Sequence, residues 1–223
     1  QKFRWKEGRV VSVRLKDGSF NLAQLLYPPY FAFFKCYSDD DRWSEDSAET
    51  SEVLFICAAT KQFTNYTEIH VHPETRSRRF DSLPTRWIEG FHGGREVVVW
   101  KGTSRERTIL MLESRPGGRL IEMPIDRRVE RYPVIMPSID LDDAATIDGH
   151  ETTSVWTYPN LNERLYLSKI FGRSIDPGKD LQFERPPRDE YATYMDILSC
   201  HGKPEDWGYS SKRIDGRPTP SGP

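Results

Sequence analysis

Apolar and polar positions alternate almost from the first residues. In Gly8-Arg9-Val10-Val11-Ser12-Val13-Arg14-Leu15, Val11, Val13 and Leu15 fall on one face and Ser12 and Arg14 on the other. Lys16-Asp17-Gly18-Ser19 supplies a turn, because glycine accepts the positive φ of tight hairpin turns. Phe20, Leu22, Gln24 and Leu26 alternate on the return, so the pattern predicts a β-hairpin. A hairpin needs a partner for its apolar face, and the next apolar run, Tyr30-Phe31-Ala32-Phe33-Phe34-Lys35-Cys36-Tyr37, is the candidate. Residues 38–52 break the pattern and read as a loop or exposed edge. Val53-Leu54-Phe55-Ile56-Cys57-Ala58-Ala59 is apolar throughout, the signature of a strand buried on both faces. Glu68-Ile69-His70-Val71-His72 alternates again, and Pro73 ends it.

A second β region is expected at 95–101, 108–113 and 119–123, joined as a meander with a turn at Pro116-Gly117-Gly118. Residues 84–94 read as turn-rich around Trp87 and Phe91. The period then changes. Leu161, Leu165, Ile170 and Phe171 recur at helical spacing, with Asn160 as a cap and Gly172 as a stop. Tyr191, Tyr194, Met195 and Leu198 form a second helical stripe after Pro186-Pro187, with Gly202 as its stop. The expected fold is α+β: a strongly bent antiparallel sheet or open barrel, extended by the strands at 95–124, with the two C-terminal helices packed on one side. Residues 1–205 are expected to form a single domain with a seam near 84–94, and 206–223 a loosely ordered tail rich in Gly, Pro and Ser.

Composition fits this picture without narrowing the function. The 223 residues are 36% hydrophobic, 30% charged and 12% aromatic, and the formal net charge is −2. Bulk charge therefore points to neither nucleic acid nor a membrane surface, and no apolar run reaches the length of a spanning helix. The chain begins at Gln1 rather than Met, the start expected of a processed form or a piece of a longer protein. Cys36, Cys57 and Cys200 are odd in number and widely spaced; the first two sit in apolar runs and read as buried thiols, which favours a reducing, cytoplasmic setting.

Charge is segregated along the chain. Residues 38–52 carry seven acids against one base. A dense carboxylate run costs self-repulsion and builds no core, so it is a solvated loop or a surface for a basic partner. Asp39, Asp40, Asp41, Glu45, Asp46 and Glu49 are the candidate contact residues, with Trp43 as an anchor, since tryptophan is enriched among interface anchors. Arg76, Arg78, Arg79 and Arg86 form a basic patch that is expected to pair with this loop. His70 and His72 are the only metal-like spacing, because i and i+2 of a strand share a face. A glutamate four or five residues after the second histidine, the cupin arrangement, is missing; Arg76 and Ser77 stand there. No Gly-x-Ser-x-Gly elbow and no phosphate-binding glycine loop occurs. No catalytic residue, cofactor or metal is expected.

The hairpin residues 8–15, Asp17-Gly18, and the return strand Leu22-Ala23-Gln24-Leu25-Leu26, followed after an acidic spacer by Glu52-Val53-Leu54-Phe55-Ile56-Cys57-Ala58, resemble the immunity protein 26 family of bacterial polymorphic-toxin systems. Trp87-Ile88 is similar to that family's Trp-x-Ile-Gly element, with Glu89 intervening before Gly90. The resemblance covers about residues 5–90. It implies a non-enzymatic protein that binds a cognate toxin and neutralises it in the producing cell, and the acidic run makes a toxin with a basic active-site surface the expected partner. The alternatives are a metal-dependent hydrolase or nucleotide-handling enzyme using His70 and His72, and an adaptor β module that binds a peptide on a sheet edge.

Overall fold

The computed structural model describes residues 4–127 and 131–214. In chain order the strands and helices are β1 (Val10–Arg14), β2 (Phe20–Leu25), β3 (Tyr30–Ser38), α1 (Ser47–Thr50), β4 (Val53–Ala59), α2 (Lys61–Tyr66), β5 (Ile69–Val71), β6 (Arg86–Val99), β7 (Arg107–Glu122), β8 (Val134–Met136), α3 (Ala144–Gly149), β9 (Val155–Trp156), α4 (Asn160–Phe171), α5 (Pro177–Gln182) and α6 (Ala192–Leu198). Single 3-10 turns precede α6 and follow it, at Asp189–Tyr191 and Pro204–Trp207. The fold is α+β. Its residues group into two compact units: 1–79 with 155–174 and 202–223, and 80–154 with 175–201. The chain leaves the first unit at residue 79, ahead of the expected seam.

The first unit is built on an open six-stranded sheet in the order β5-β1-β2-β3-β4-β9, antiparallel except for the β4–β9 pair. The opening hairpin forms as its alternation requires. Leu15 N–H donates to the Ser19 carbonyl at 2.7 Å, Gly18 takes φ 88°, and the Asp17 carboxylate accepts from both the amide and the hydroxyl of Ser19. Phe31, Phe33 and Phe34 of β3 are fully buried. Phe63 of α2 stands edge-on to Phe31 and Phe33, at 5.6 and 6.5 Å between ring centroids. Helix α2 escaped the periodicity argument because six residues give too few turns for a stripe; its start is set by Thr60, whose hydroxyl accepts from Phe63 N–H.

Helix α4 ends as expected at Gly172, φ 62°. Its start differs: Pro159 occupies the cap position and no side chain closes it, so Asn160 is the first helical residue rather than the cap. The described part of the tail, 206–214, is mostly exposed and is tied down at single points, among them Ile214 N–H to the Asn65 carbonyl at 2.9 Å. Tyr158 donates its hydroxyl to the Ser210 carbonyl at 2.7 Å, and Tyr209 is buried. Residues 215–223 lie outside the described residues.

The second unit departs further from the sequence pattern. Residues 84–94 form most of β6 rather than a string of turns, and β7 runs unbroken through Pro116-Gly117-Gly118. These strands make their own sheet, β6-β7-β8, instead of extending the first. Glycine here permits close approach rather than reversal. Gly118 stands opposite Gly90 in the register, and a Cβ on Gly118 would meet the Glu89 carbonyl oxygen at 2.8 Å. Ile88, Leu120, Ile139, Ile147 and Phe183 form the core of this unit. Helix α6 belongs here and α4 to the first unit, so the two predicted C-terminal helices serve different cores.

Glu113 of β7 lies over Gly90, and burial pushes its carboxyl above the ordinary range; Arg95 opposes that shift and Asp176 adds to it. A raised acid favours the folded state below its unfolded pKa and loses that contribution as pH rises through the folded value. Glu113→Gln is therefore expected to stabilise this unit, with the difference in Tm from the parent growing between pH 5 and pH 8. A gap that does not change with pH would place the effect in packing instead.

Candidate functional site

Residues that carry chemistry converge on one face of the first sheet. Ser12 of β1 stands directly opposite His70 of β5 in the register, so the two share a face, and His72 follows two residues on. The loop after β3 brings Asp41 onto them. Asp41 takes φ 58°, a left-handed conformation that aspartate tolerates better than most residues. His70 Nδ1 donates to Asp41 Oδ2 at 2.6 Å, and its Nε2 lies 3.1 Å from Glu68 Oε1. Trp43 Nε1 donates to Asp41 Oδ1 at 2.9 Å, and its ring is edge-on to His72 at 6.1 Å.

His72 is held on three sides. Its Nε2 lies 2.9 Å from Ser12 Oγ and 3.3 Å from Asp41 Oδ1, and its Nδ1 lies 3.4 Å from Glu74 Oε1. Burial alone would raise the Asp41 carboxyl. Hydrogen bonds from Ser12, His70 and Trp43 and the charge of His72 outweigh that and leave it below the ordinary aspartate range. Ser12 Oγ and His72 Nε2 share a hydrogen bond whose direction follows the His72 tautomer.

Burial decides what the cluster can do. A Ser–His–acid sequence of contacts is present in Ser12, His72 and Glu74, yet a serine nucleophile must reach a substrate. Ser12 is completely buried, so its hydroxyl is closed to a substrate. The two imidazoles share a face as the spacing implied, but each nitrogen is turned to a separate carboxylate or to Ser12. Among the described residues no group of three or more His, Cys, Asp and Glu side chains is arranged to hold a metal ion. The network is suited to fixing the acidic loop against the sheet.

That loop is placed as follows. Asp39, Asp40, Glu45, Asp46, Glu49 and Glu52 are exposed, and Asp41 alone among its seven acids is turned inward. Asp40 accepts from Ser38 and lies 3.3 Å from Arg42 Nε. The Ser44 hydroxyl beside Asp46 holds its carboxyl low. Glu45 and Glu49 flank Arg76 Nε at 3.3 and 3.5 Å, the pairing expected of the basic patch. Arg78 Nη1 donates to the Ser51 carbonyl, and its backbone is bracketed by Gln24. Trp43, read as a partner anchor, is half-buried and spends its N–H within the cluster.

Sequence reasoning missed Ser12, whose signal was a polar residue inside a strand of buried valines. It also missed a cavity of about 630 Å³ beside His72, between the approach to β1 and the exit from β5.

An α+β protein whose acidic loop is pinned by a Ser–His–Asp–His network is thus defined. The chain belongs to the family described as Domain of unknown function (DUF8309), which matches residues 1–187. No curated protein and no solved structure matches it. Among the described residues no helix is long and apolar enough to cross a membrane.

Proposed function

We propose that this chain is a non-enzymatic binding protein of the immunity type, which captures a toxin with a basic active-site surface in the cytoplasm of the producing cell and occludes it. The observation that carries this reading is the construction of the acidic loop. One acid, Asp41, is spent on anchoring, and six are left exposed on a segment of fourteen residues (39–52). A loop held in one conformation loses little entropy on association. Its clustered charge speeds encounter with a basic surface and penalises acidic competitors. The resemblance of residues 5–90 to immunity protein 26 supports the same class.

The test is association with the protein encoded by the adjacent gene, followed by surface plasmon resonance at 50 and 300 mM salt. The triple change of Asp39, Asp40 and Asp46 to lysine is expected to slow association about tenfold or more at low salt, with the difference shrinking at high salt. Association rates that ignore both the charge reversal and the salt would sink the proposal.

A further inference from the structure

We propose that Arg95 and Glu113 form a pH-operated latch on α5: the Arg95 guanidinium holds the end of the helix while Glu113 is protonated and moves to the Glu113 carboxylate when it ionises. The register of β6 on β7 sets the placement. Arg95 stands opposite Met111, which is buried, and Glu113 follows two residues on, so all three side chains leave the same face of the sheet. Leu110 and Leu112 point the other way and are exposed. Arg95 and Glu113 are thus diagonal neighbours across the strand pair, a separation that long side chains bridge.

The two side chains share no hydrogen bond. Arg95 Nη2 donates to the Leu181 carbonyl at 3.1 Å, one residue from the end of α5. Arg95 Nε and Glu113 Oε2 are each buried without a hydrogen-bond partner. A donor and an acceptor of opposite charge have both given up water and gained nothing for it. Nε and Nη2 are the two nitrogens that an arginine presents side-on to a carboxylate. A carboxylate that takes this fork therefore draws on the nitrogen now given to Leu181. An ionised carboxylate competes for it better than a backbone carbonyl does, and a protonated carboxyl does not. Burial raises the Glu113 carboxyl, its own backbone N–H and Arg95 work against that, and Asp176 at the cap of α5 adds to it. His92, opposite Glu113 on β6, is exposed and lies 3.7 Å from Glu89 instead. Gln182 Nε2 keeps its own bond to the Gly117 carbonyl at 3.0 Å, so α5 stays seated while its end is freed.

The test is NMR titration of the full chain from pH 5 to pH 8, following the Glu113 carboxyl carbon and the Arg95 Nε–H. Amide exchange is measured in parallel at Phe183, Glu184 and Arg185, whose N–H groups bond the carbonyls of Lys179, Leu181 and Asp180 at the end of α5. The Arg95 Nε–H is expected to shift with the same midpoint as the Glu113 carboxyl. Those amides, corrected for intrinsic rate, are expected to exchange about tenfold faster above that midpoint, the loss of one charge-assisted hydrogen bond. Glu113→Gln is expected to hold the Arg95 signal and the protection at their low-pH values throughout, and His92→Gln to leave both responses in place. A Glu113 carboxyl that does not titrate in this range, an Arg95 Nε–H that does not follow it, protection that ignores the transition, or a response that survives in Glu113→Gln overturns the latch.

Discussion

Asp41→Ala is expected to cost about 2–4 kcal/mol of folding stability and to release the acidic loop from the sheet. Trp43 Nε1 at 2.9 Å and His70 Nδ1 at 2.6 Å donate to this carboxylate, and His72 Nε2, itself bonded to Ser12, lies 3.3 Å from it. His70 is 43% exposed in its side chain and can turn to water, so its share is small. Ser12 and His72 are buried and cannot. Alanine also fits φ 58° less well than aspartate, adding about 1 kcal/mol. Asp41→Gly removes that conformational cost and Asp41→Asn keeps the shape, so alanine should be the most damaging of the three in chemical denaturation. The carboxyl is held below its ordinary value, so its contribution is complete above the unfolded pKa of about 3.9 and fades as pH falls through the folded one. The penalty should therefore shrink between pH 7 and pH 3. Amide exchange across residues 39–46 should rise in all three variants at pH 7. An equal penalty at both pH values, with exchange unchanged, would mean that the carboxylate does not pin the loop.

The consequence for function lies in separating two roles within one acidic run. Charge reversal at Asp39, Asp40 and Asp46 should change association and leave stability alone. Substitution at Asp41 should change both, because a loosened loop must be ordered again on binding. A partner that tolerates Asp41→Asn but not the triple lysine change would mark the exposed carboxylates as the contact.

What the sequence disclosed depended on how local the physics was. The opening hairpin, β4 and the body of α4 were legible because alternation, an apolar run and a 3.6-residue stripe are set within a few residues. The strand β7 was not. Pro116-Gly117-Gly118 has the composition of a turn, and only the partner strand, with Gly90 opposite Gly118, makes continuation favourable. The shared face of His70 and His72 was readable from spacing. Its use was not, because Asp41 comes from 29 residues before His70, and Ser12 from 60 residues before His72. A run of carboxylates gives no sign of which member turns inward. That is decided by a left-handed residue after β3 and by the register of β1 on β5.

Glu163→Ala is expected to destabilise the first unit by about 3–5 kcal/mol, the cost of removing one partner from a buried ion pair. Glu163 projects from α4 and is 1% exposed. Lys16 Nζ donates to both of its oxygens, at 2.8 and 2.7 Å, and Tyr209 donates its hydroxyl at 2.6 Å. Lys16 also lies over the Tyr166 ring at 4.3 Å, so it has little water to turn to once the carboxylate is gone. Burial first, and then the Glu163 charge, push the Tyr209 phenol well above its ordinary pKa, so it stays a donor at every accessible pH. The pair thus fastens three distant pieces of chain: the β1–β2 turn, α4 and the segment after residue 202. Glu163→Gln keeps the shape and one acceptor oxygen but sets an NH2 donor in place of the other and loses the charge, so it should cost less than alanine without being neutral. Tyr209→Phe, which deletes one neutral donor, should cost about 1–2 kcal/mol. Limited proteolysis should cut residues 203–214 sooner in the alanine protein than in the parent. If alanine and glutamine cost the same, the missing charge rather than the missing acceptor dominates; if neither exceeds Tyr209→Phe, the lysine finds water and the ion pair contributes nothing.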